Sequence, residues 1–403
     1  MQEARPEQDY LPPITGLRGV AAGWVLLFHA WQFAGGPALV LAGVDLTPLL
    51  ASGYFGVDLF FVLSGFLLGL PFLAARRGGR PVQLGHFWRN RARRVLPAYW
   101  AQLLILLGLA AVSDSQRVEP LQAIGHVPLL FNLWQNDSAI NPVYWSLPVE
   151  WDFYVLLPLL ALGFRSTRSV VLSLMVGLML AIGFRLLCVA ALHWWGADGV
   201  PLYRWIIQIP GRLDQFLLGM AAAWCYLNWR PGSGQLGTLR AGWRWAILWA
   251  GVALVLLMCW GAAAQGDFVT QAIAPWVYFH YSGLALGFSL CVLGALWAPR
   301  AWQSRALASR PLAWLGMISY SLYLWHYPML QWQRHWWPSH WPAWAGVALS
   351  LPLIMVLAWA SYRGVERPFL GMRARRAEQG AGAGSALADA EPADGRQLDR
   401  IGR

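Results

Sequence analysis

Apolar stretches recur from one end of this 403-residue chain to the other, each close to the roughly 20 residues needed to cross the hydrocarbon core of a bilayer. Short loops rich in Arg, Pro and Gly separate them, so nearly the whole chain reads as one membrane domain. Composition agrees, with 58% hydrophobic and 12% charged residues, against roughly a quarter charged in soluble proteins. The sequence therefore predicts an all-α integral membrane protein, a bundle of about ten transmembrane helices.

The expected spans are about 14–34, 53–73, 95–112, 147–164, 169–192, 203–228, 245–263, 275–297, 313–333 and 343–363. Pro158 and Pro210 fall inside the fourth and sixth, where each is expected to interrupt the helical ladder. Three regions follow: a cytoplasmic N-terminal segment at 1–13, a transmembrane domain at 14–370, and a disordered cytoplasmic tail at 371–403, where small and charged residues replace bulky apolar ones. The start, MQEARPEQDYLPPITGLRG, lacks the basic region and short apolar run of a secretory signal, so the first span is expected to persist as an anchor.

The formal net charge is +11, and all 30 Lys or Arg residues are Arg. In a soluble chain such an excess would suggest nucleic acid. Here most of the arginines lie in short loops, which reports membrane orientation and points away from nucleic acid. The loop 74–94 holds Arg76, Arg77, Arg80, Arg89, Arg91, Arg93 and Arg94, and alternate loops hold Arg165, Arg168, Arg230, Arg240, Arg300, Arg305 and Arg310. These loops are expected at the cytoplasmic face, which puts both termini inside. Cys188, Cys225, Cys259 and Cys291 fall in or beside apolar segments without metal-ligand spacing, so no metal is expected. Of the 27 tryptophans, many sit near span ends, among them Trp31, Trp194, Trp195, Trp336 and Trp337, as interfacial anchors do.

Ionisable side chains inside spans carry the functional signal, because they are costly there. Arg18 and His29 lie eleven positions apart on the first span, about 20° apart around a helix and roughly 16 Å apart along it. They face one way at two depths: Arg18 at the cytoplasmic edge, where it could meet phosphate, and His29 well inside. Between Val25, Leu26, Leu27 and Phe28, His29 is expected to be uncharged and able to accept a proton, as a general base must. Asp58 and Glu150 come to a similar depth; either could orient the imidazole, or instead form half of a buried ion pair, for instance with Arg212. Arg212 and Asp214, two residues apart, should face different partners. His326 could line an acceptor path or be a hydrogen-bonded packing residue. Arg89, Arg91, Arg93 and Arg94 either set topology or bind the phosphates of a nucleotide-bearing donor.

Seven stretches, ITGLRGVAAGWVLLFH, GYFGVDLFFVLSGFLLG, FWRNRARRVLPAYW, PVYWSLPVEWDFYVLLP, GRLDQFLLGM, LGMISYSLYLWHYP and GVERP, together resemble the acyltransferase-3 family of membrane-bound acyltransferases. They stand in the family's order and cover nearly all of the apolar chain. The resemblance implies a ten-helix fold that uses cytoplasmic acyl-CoA, commonly acetyl-CoA, to acylate a carbohydrate or glycan acceptor. It implies His29 as the essential residue, with Arg18, Asp58, the arginines around Arg91 to Arg94, Glu150 and Arg212 in support. Where the family commonly has WSLSVEEQFY, this chain has WSLPVEWDFY, with Pro148 for a serine and Trp151 for a second acid. Some relatives carry a fused extracytoplasmic esterase-like domain, for which this sequence leaves no room.

The expectation is an O-acyltransferase, in practice an O-acetyltransferase, of the bacterial inner membrane. In it His29, Asp58 and Glu150 are catalytic; Arg18, Arg89, Arg91, Arg93 and Arg94 bind acyl-CoA; and Arg212, Asp214 and His326 bind the acceptor. His29 could act as base or carry the acyl group. The rival is a transporter or flippase of a lipid-linked saccharide, which would also need buried charge, although no inverted repeat is visible.

Overall fold

Proline and glycine placement decides where the helices start, and polar residues decide how they pack. The computed structural model describes residues 11–112, 118–133, 140–195, 205–229, 241–265 and 276–370. The N-terminal segment, the tail beyond 370 and parts of the loops at 113–146, 193–202, 230–240 and 264–274 lie outside the described residues.

Helix α1, Pro12–Phe33, opens on two prolines, whose missing N–H groups and fixed φ suit a first turn. After it, a two-residue hairpin pairs Val40–Leu41 with Val44–Asp45 through Ala42 and Gly43, both at positive φ, as a type I′ turn requires. A short helix α2, Thr47–Ala51, leads into α3, Gly56–Ala75. Helix α4, Leu84–Val112, begins about a turn before the Arg run, so that run is helical and not a loop ahead of a span starting at 95. Then come α5, Pro120–His126, and α6, Ser146–Leu160. Pro158 sits near the end of α6, where the chain tightens into a 3₁₀ turn at Ala161–Gly163.

Helix α7 is Thr167–Trp195 and α8 is Ile209–Asn228. Residues 205–206 are helical, the chain turns at 207–208, and Pro210 sits in the first turn of α8, so the sixth segment is interrupted beside Pro210 as expected. Helices α9, Ala241–Ala263, and α10, Val277–Trp297, follow as a close antiparallel pair. A short helix α11, Trp302–Leu307, comes next, and the expected ninth span, 313–333, is broken at Ile318 between α12, Arg310–Met317, and α13, Ser319–Trp336. Helix α14, Ala343–Ser361, continues through a π-helical turn at Tyr362–Glu366.

Seven of the described helices are long and apolar enough to cross a membrane: those within 53–75, 84–112, 142–163, 167–191, 243–263, 277–297 and 343–370. Large apolar side chains such as Leu104, Leu109, Leu159, Met179, Leu187 and Val356 stand exposed around the outside, a surface only lipid would cover. The chain is an all-α, multi-pass membrane protein.

Inside this belt, α3 and α10 are the most enclosed spans, and α1, α8 and α13 pack among them. Contacts are heaviest between α9 and α10, α3 and α8, α1 and α12, and α13 and α14. The α3–α8 crossing depends on two glycines. A Cβ on Gly65 would overlap the Phe216 carbonyl oxygen, and one on Gly219 would overlap the Val62 carbonyl oxygen. The two backbones therefore touch, as small residues allow in membranes, where helix pairing rests on close packing and not on expulsion of water.

Candidate functional site

Two helices that meet along their length, α1 and α13, bring His29 and His326 together. His326 Nε2 lies 3.0 Å from His29 Nδ1. Each ring also turns Nδ1 toward the carbonyl four residues back, His29 toward Val25 O at 3.1 Å and His326 toward Leu322 O at 3.1 Å. His326 is 1% exposed, whereas His29 is half-buried. Phe28 and the edge of Tyr327 flank His29, with ring centroids 4.8 and 5.1 Å away. The expected carboxylate partner of His29 is absent: the side chain that meets it is His326, placed there by the α1–α13 packing that no local spacing encodes.

Below Tyr323, whose ring centroid is 5.8 Å from that of His326, lies a cavity of about 80 Å³. Phe60, Phe61, Leu63 and Leu67 of α3 form its apolar wall, and Arg18, Ser64, Glu150, Ser319, Tyr320 and Tyr323 supply its polar groups. Arg18 lies in this wall, where Nη2 donates to Ser319 Oγ at 3.2 Å. Glu150 accepts from Ser64 Oγ at 2.6 Å and is bonded to Tyr154. Tyr320 OH donates to Val95 O at 2.8 Å, and Tyr323 OH to Val143 O at 2.6 Å. Arg18 and Glu150 thus share one enclosure as unlike charges, and Glu150 stands on the cavity, not beside His29.

The Arg run divides by helical phase. Arg91 and Arg94, three apart, turn inward: both act on Tyr154, and Arg94 pairs with Glu366, which also accepts from Ser321 Oγ at 3.1 Å. Arg89 is exposed and Arg93 half-buried on the other side of α4. Glu366, the acid of GVERP, escaped the sequence reading. Its signal was a lone carboxylate at the end of an apolar span.

Asp58 and Arg212 form a buried ion pair at 2.6 Å, and Gln215 Nε2 donates to the same carboxylate oxygen at 2.6 Å. The Arg212 guanidinium lies over the Tyr281 ring, 3.7 Å from its centroid. Asp58 therefore orients Arg212 across the α3–α8 contact and not the imidazole of His29. Asp214 faces elsewhere, as its two-residue offset requires, and takes both oxygens to Arg185 at 2.8 Å. Arg185, with no exposed surface, also donates to Gly211 O and Tyr278 O. It too went unread in the sequence, although an arginine in the middle of α7 is itself a signal. Arg212 and Asp214 are occupied by these pairs, which gives them a structural task before any acceptor arrives. Among the described residues, no cluster of three His, Cys, Asp or Glu is placed to hold a metal.

An all-α membrane bundle with an apolar belt outside thus encloses a histidine pair and an Arg- and Glu-lined cavity that share Tyr323 as a neighbour. The family model for the acyltransferase domain matches residues 12–363, and the chain belongs to the acyltransferase-3 family. It is similar to the O-acetyltransferase OatA of Staphylococcus aureus strain NCTC 8325, 25% identical over 381 residues that cover 89% of this chain and 57% of OatA. It is also similar to YrhL of Bacillus subtilis strain 168, a candidate peptidoglycan O-acetyltransferase, 26% identical over 382 residues covering 89% of this chain and 55% of YrhL. The chain thus spans a little over half the length of these relatives. No solved structure matches it.

Proposed function

We propose that this chain is an O-acetyltransferase of the bacterial inner membrane that moves an acetyl group from cytoplasmic acetyl-CoA to a hydroxyl of a carbohydrate or glycan precursor. Family membership and the names of the two relatives support the reaction type. The observation that carries the residue assignment is His29, held in the bundle by Nδ1, while among the described residues its Nε2 makes no hydrogen bond.

The topology that fits has ten spans. The seven strongly apolar helices are joined by α1, α8 and α13, less apolar helices that bear Arg18 and His29, Arg212 and Asp214, and His326. With Arg-rich loops inside, both termini are cytoplasmic. The phosphates of the donor meet Arg89 and Arg93 on the outward side of α4, and its acyl end enters the cavity beside Arg18. Tyr323 lines that cavity and also faces His326, so the thioester passes Tyr323 on its way to His29.

In the reaction, His29 Nε2 takes the proton of the acceptor hydroxyl as its oxygen attacks the thioester carbonyl carbon. The C–O bond forms, the C–S bond breaks, and the departing thiolate recovers the proton from the imidazolium, which leaves free CoA. Arg18, roughly 16 Å along α1 from His29, supplies positive charge in the cavity along the donor's path. Glu150 holds the cavity's shape through Ser64 and Tyr154 and balances Arg18.

The test is release of free CoA thiol from acetyl-CoA by the purified protein with peptidoglycan-derived glycan fragments as acceptor. His29→Gln is expected to lose about 100-fold or more while eluting and melting as the parent does. Activity within a few-fold of the parent removes His29 from this role.

A further inference from the structure

We propose that His326 is the positioning residue that fixes the tautomer of His29, in the place a carboxylate takes in nucleophile-activating triads; this rests on His29 being the base.

The assignment follows from counting donors and acceptors. A neutral imidazole has one N–H and one bare nitrogen. His326 Nδ1 faces the Leu322 carbonyl oxygen, which can only accept, so Nδ1 carries the hydrogen and Nε2 is bare. That bare nitrogen faces His29 Nδ1 at 3.0 Å, and His29 Nδ1 also faces the Val25 carbonyl oxygen. With two acceptors before it, His29 Nδ1 must carry the hydrogen, shared between them. His29 Nε2 is then the bare nitrogen, the one able to take a proton from a hydroxyl. The opposite tautomers would set a lone pair against a carbonyl oxygen at both rings.

The burial of His326 makes the restraint effective, because no water competes for its Nε2. Its own ring is fixed by Leu322 O on one side and by Tyr323 on the other. When His29 is protonated at Nε2, its Nδ1–H becomes a stronger donor toward His326 Nε2, so the pair tightens as the reaction proceeds. The carboxylates that could have served are engaged elsewhere, Asp58 with Arg212 and Gln215, Glu150 with Ser64. Since His326 acts through His29, its removal should change turnover and not substrate binding.

Two replacements separate hydrogen-bond acceptance from packing. The side-chain oxygen of Gln can take the place of Nε2, while Leu fills the volume and accepts nothing. In the CoA-release assay, His326→Leu is expected to lower kcat about 100-fold with KM for acetyl-CoA within about threefold, and His326→Gln to recover at least about tenfold of that loss. Equal kcat in the two variants, whether both normal or both lost, overturns the proposal, as does a loss confined to KM. Nitrogen-15 spectra of the histidine-labelled parent protein give an independent reading that needs no His326 variant. The His29 signals, identified by their disappearance in His29→Gln, should show a protonated Nδ1 and a bare Nε2, and the reverse pattern overturns the proposal. Full activity of His29→Gln would instead overturn the function on which it rests, so the two failures are distinguishable.

Discussion

A charge inside a bilayer persists only where another group answers it, and in this chain the answers come in pairs: Asp58 with Arg212, Asp214 with Arg185, Glu366 with Arg94. Removing one member leaves the other buried and uncompensated. Asp58→Asn is therefore expected to destabilise the fold by about 3 kcal/mol, measured as a lower midpoint in thermal unfolding of the detergent-solubilised protein. Replacing both Asp58 and Arg212 with Leu should cost less than Asp58→Asn alone, because no charge is left over; a double variant as unstable as the sum of the singles would contradict a direct pair. Arg18, His29, Asp58, Glu150, Arg212 and Asp214 stood out in the sequence because each breaks an apolar run. Their partners were partly legible: a buried ion pair with Arg212 was one of two readings of Asp58 and is the one found, whereas in the other a carboxylate met His29, and His326, 297 positions away, meets it instead. Helical phase separates Arg212 from Asp214, but nothing in one helix says which other helix will face it.

Among elements, the α3–α8 crossing is where packing and charge depend on each other. Gly65 and Gly219 let the backbones meet, and that approach brings Arg212 and Gln215 within bonding distance of Asp58. Gly219→Leu is expected to force the helices apart and to lower the melting temperature at least as far as Asp58→Asn does; a melting temperature equal to the parent's would show that the crossing tolerates bulk. Hydropathy located most of the spans, since apolar runs of that length have few other uses. It mistook two boundaries for local reasons. Arg residues can begin a helix ahead of the bilayer, as in α4, and a run that reads as continuous can bend at a residue such as Ile318, between α12 and α13, whereas the interruption expected at Pro210 is present. The less apolar helices α1, α8 and α13 are those that carry the histidine pair and Arg212 and Asp214.

For the whole molecule, the Arg distribution predicts which side each loop occupies. In a background with Cys188, Cys225, Cys259 and Cys291 replaced by alanine, Gly78→Cys should react with an impermeant maleimide only when the cytoplasmic face is opened. Gly43→Cys should react in intact cells. The converse would invert the molecule and put the Arg-lined entrance on the wrong side for a cytoplasmic thioester.

The family was legible from motif order before the fold was known, because seven separate stretches in sequence are hard to match by chance. The cavity was not, since its walls come from α1, α3, α6 and α13, which are distant in the chain. The central claim is that acetyl transfer to a glycan occurs within this bundle and depends on His29. The most direct measurement supplies acetyl-labelled acetyl-CoA to proteoliposomes containing the protein and peptidoglycan-derived glycan, then counts label on the glycan. Label with the parent protein and only background with His29→Gln is the predicted result; equal label from the two, or none from either, would contradict it.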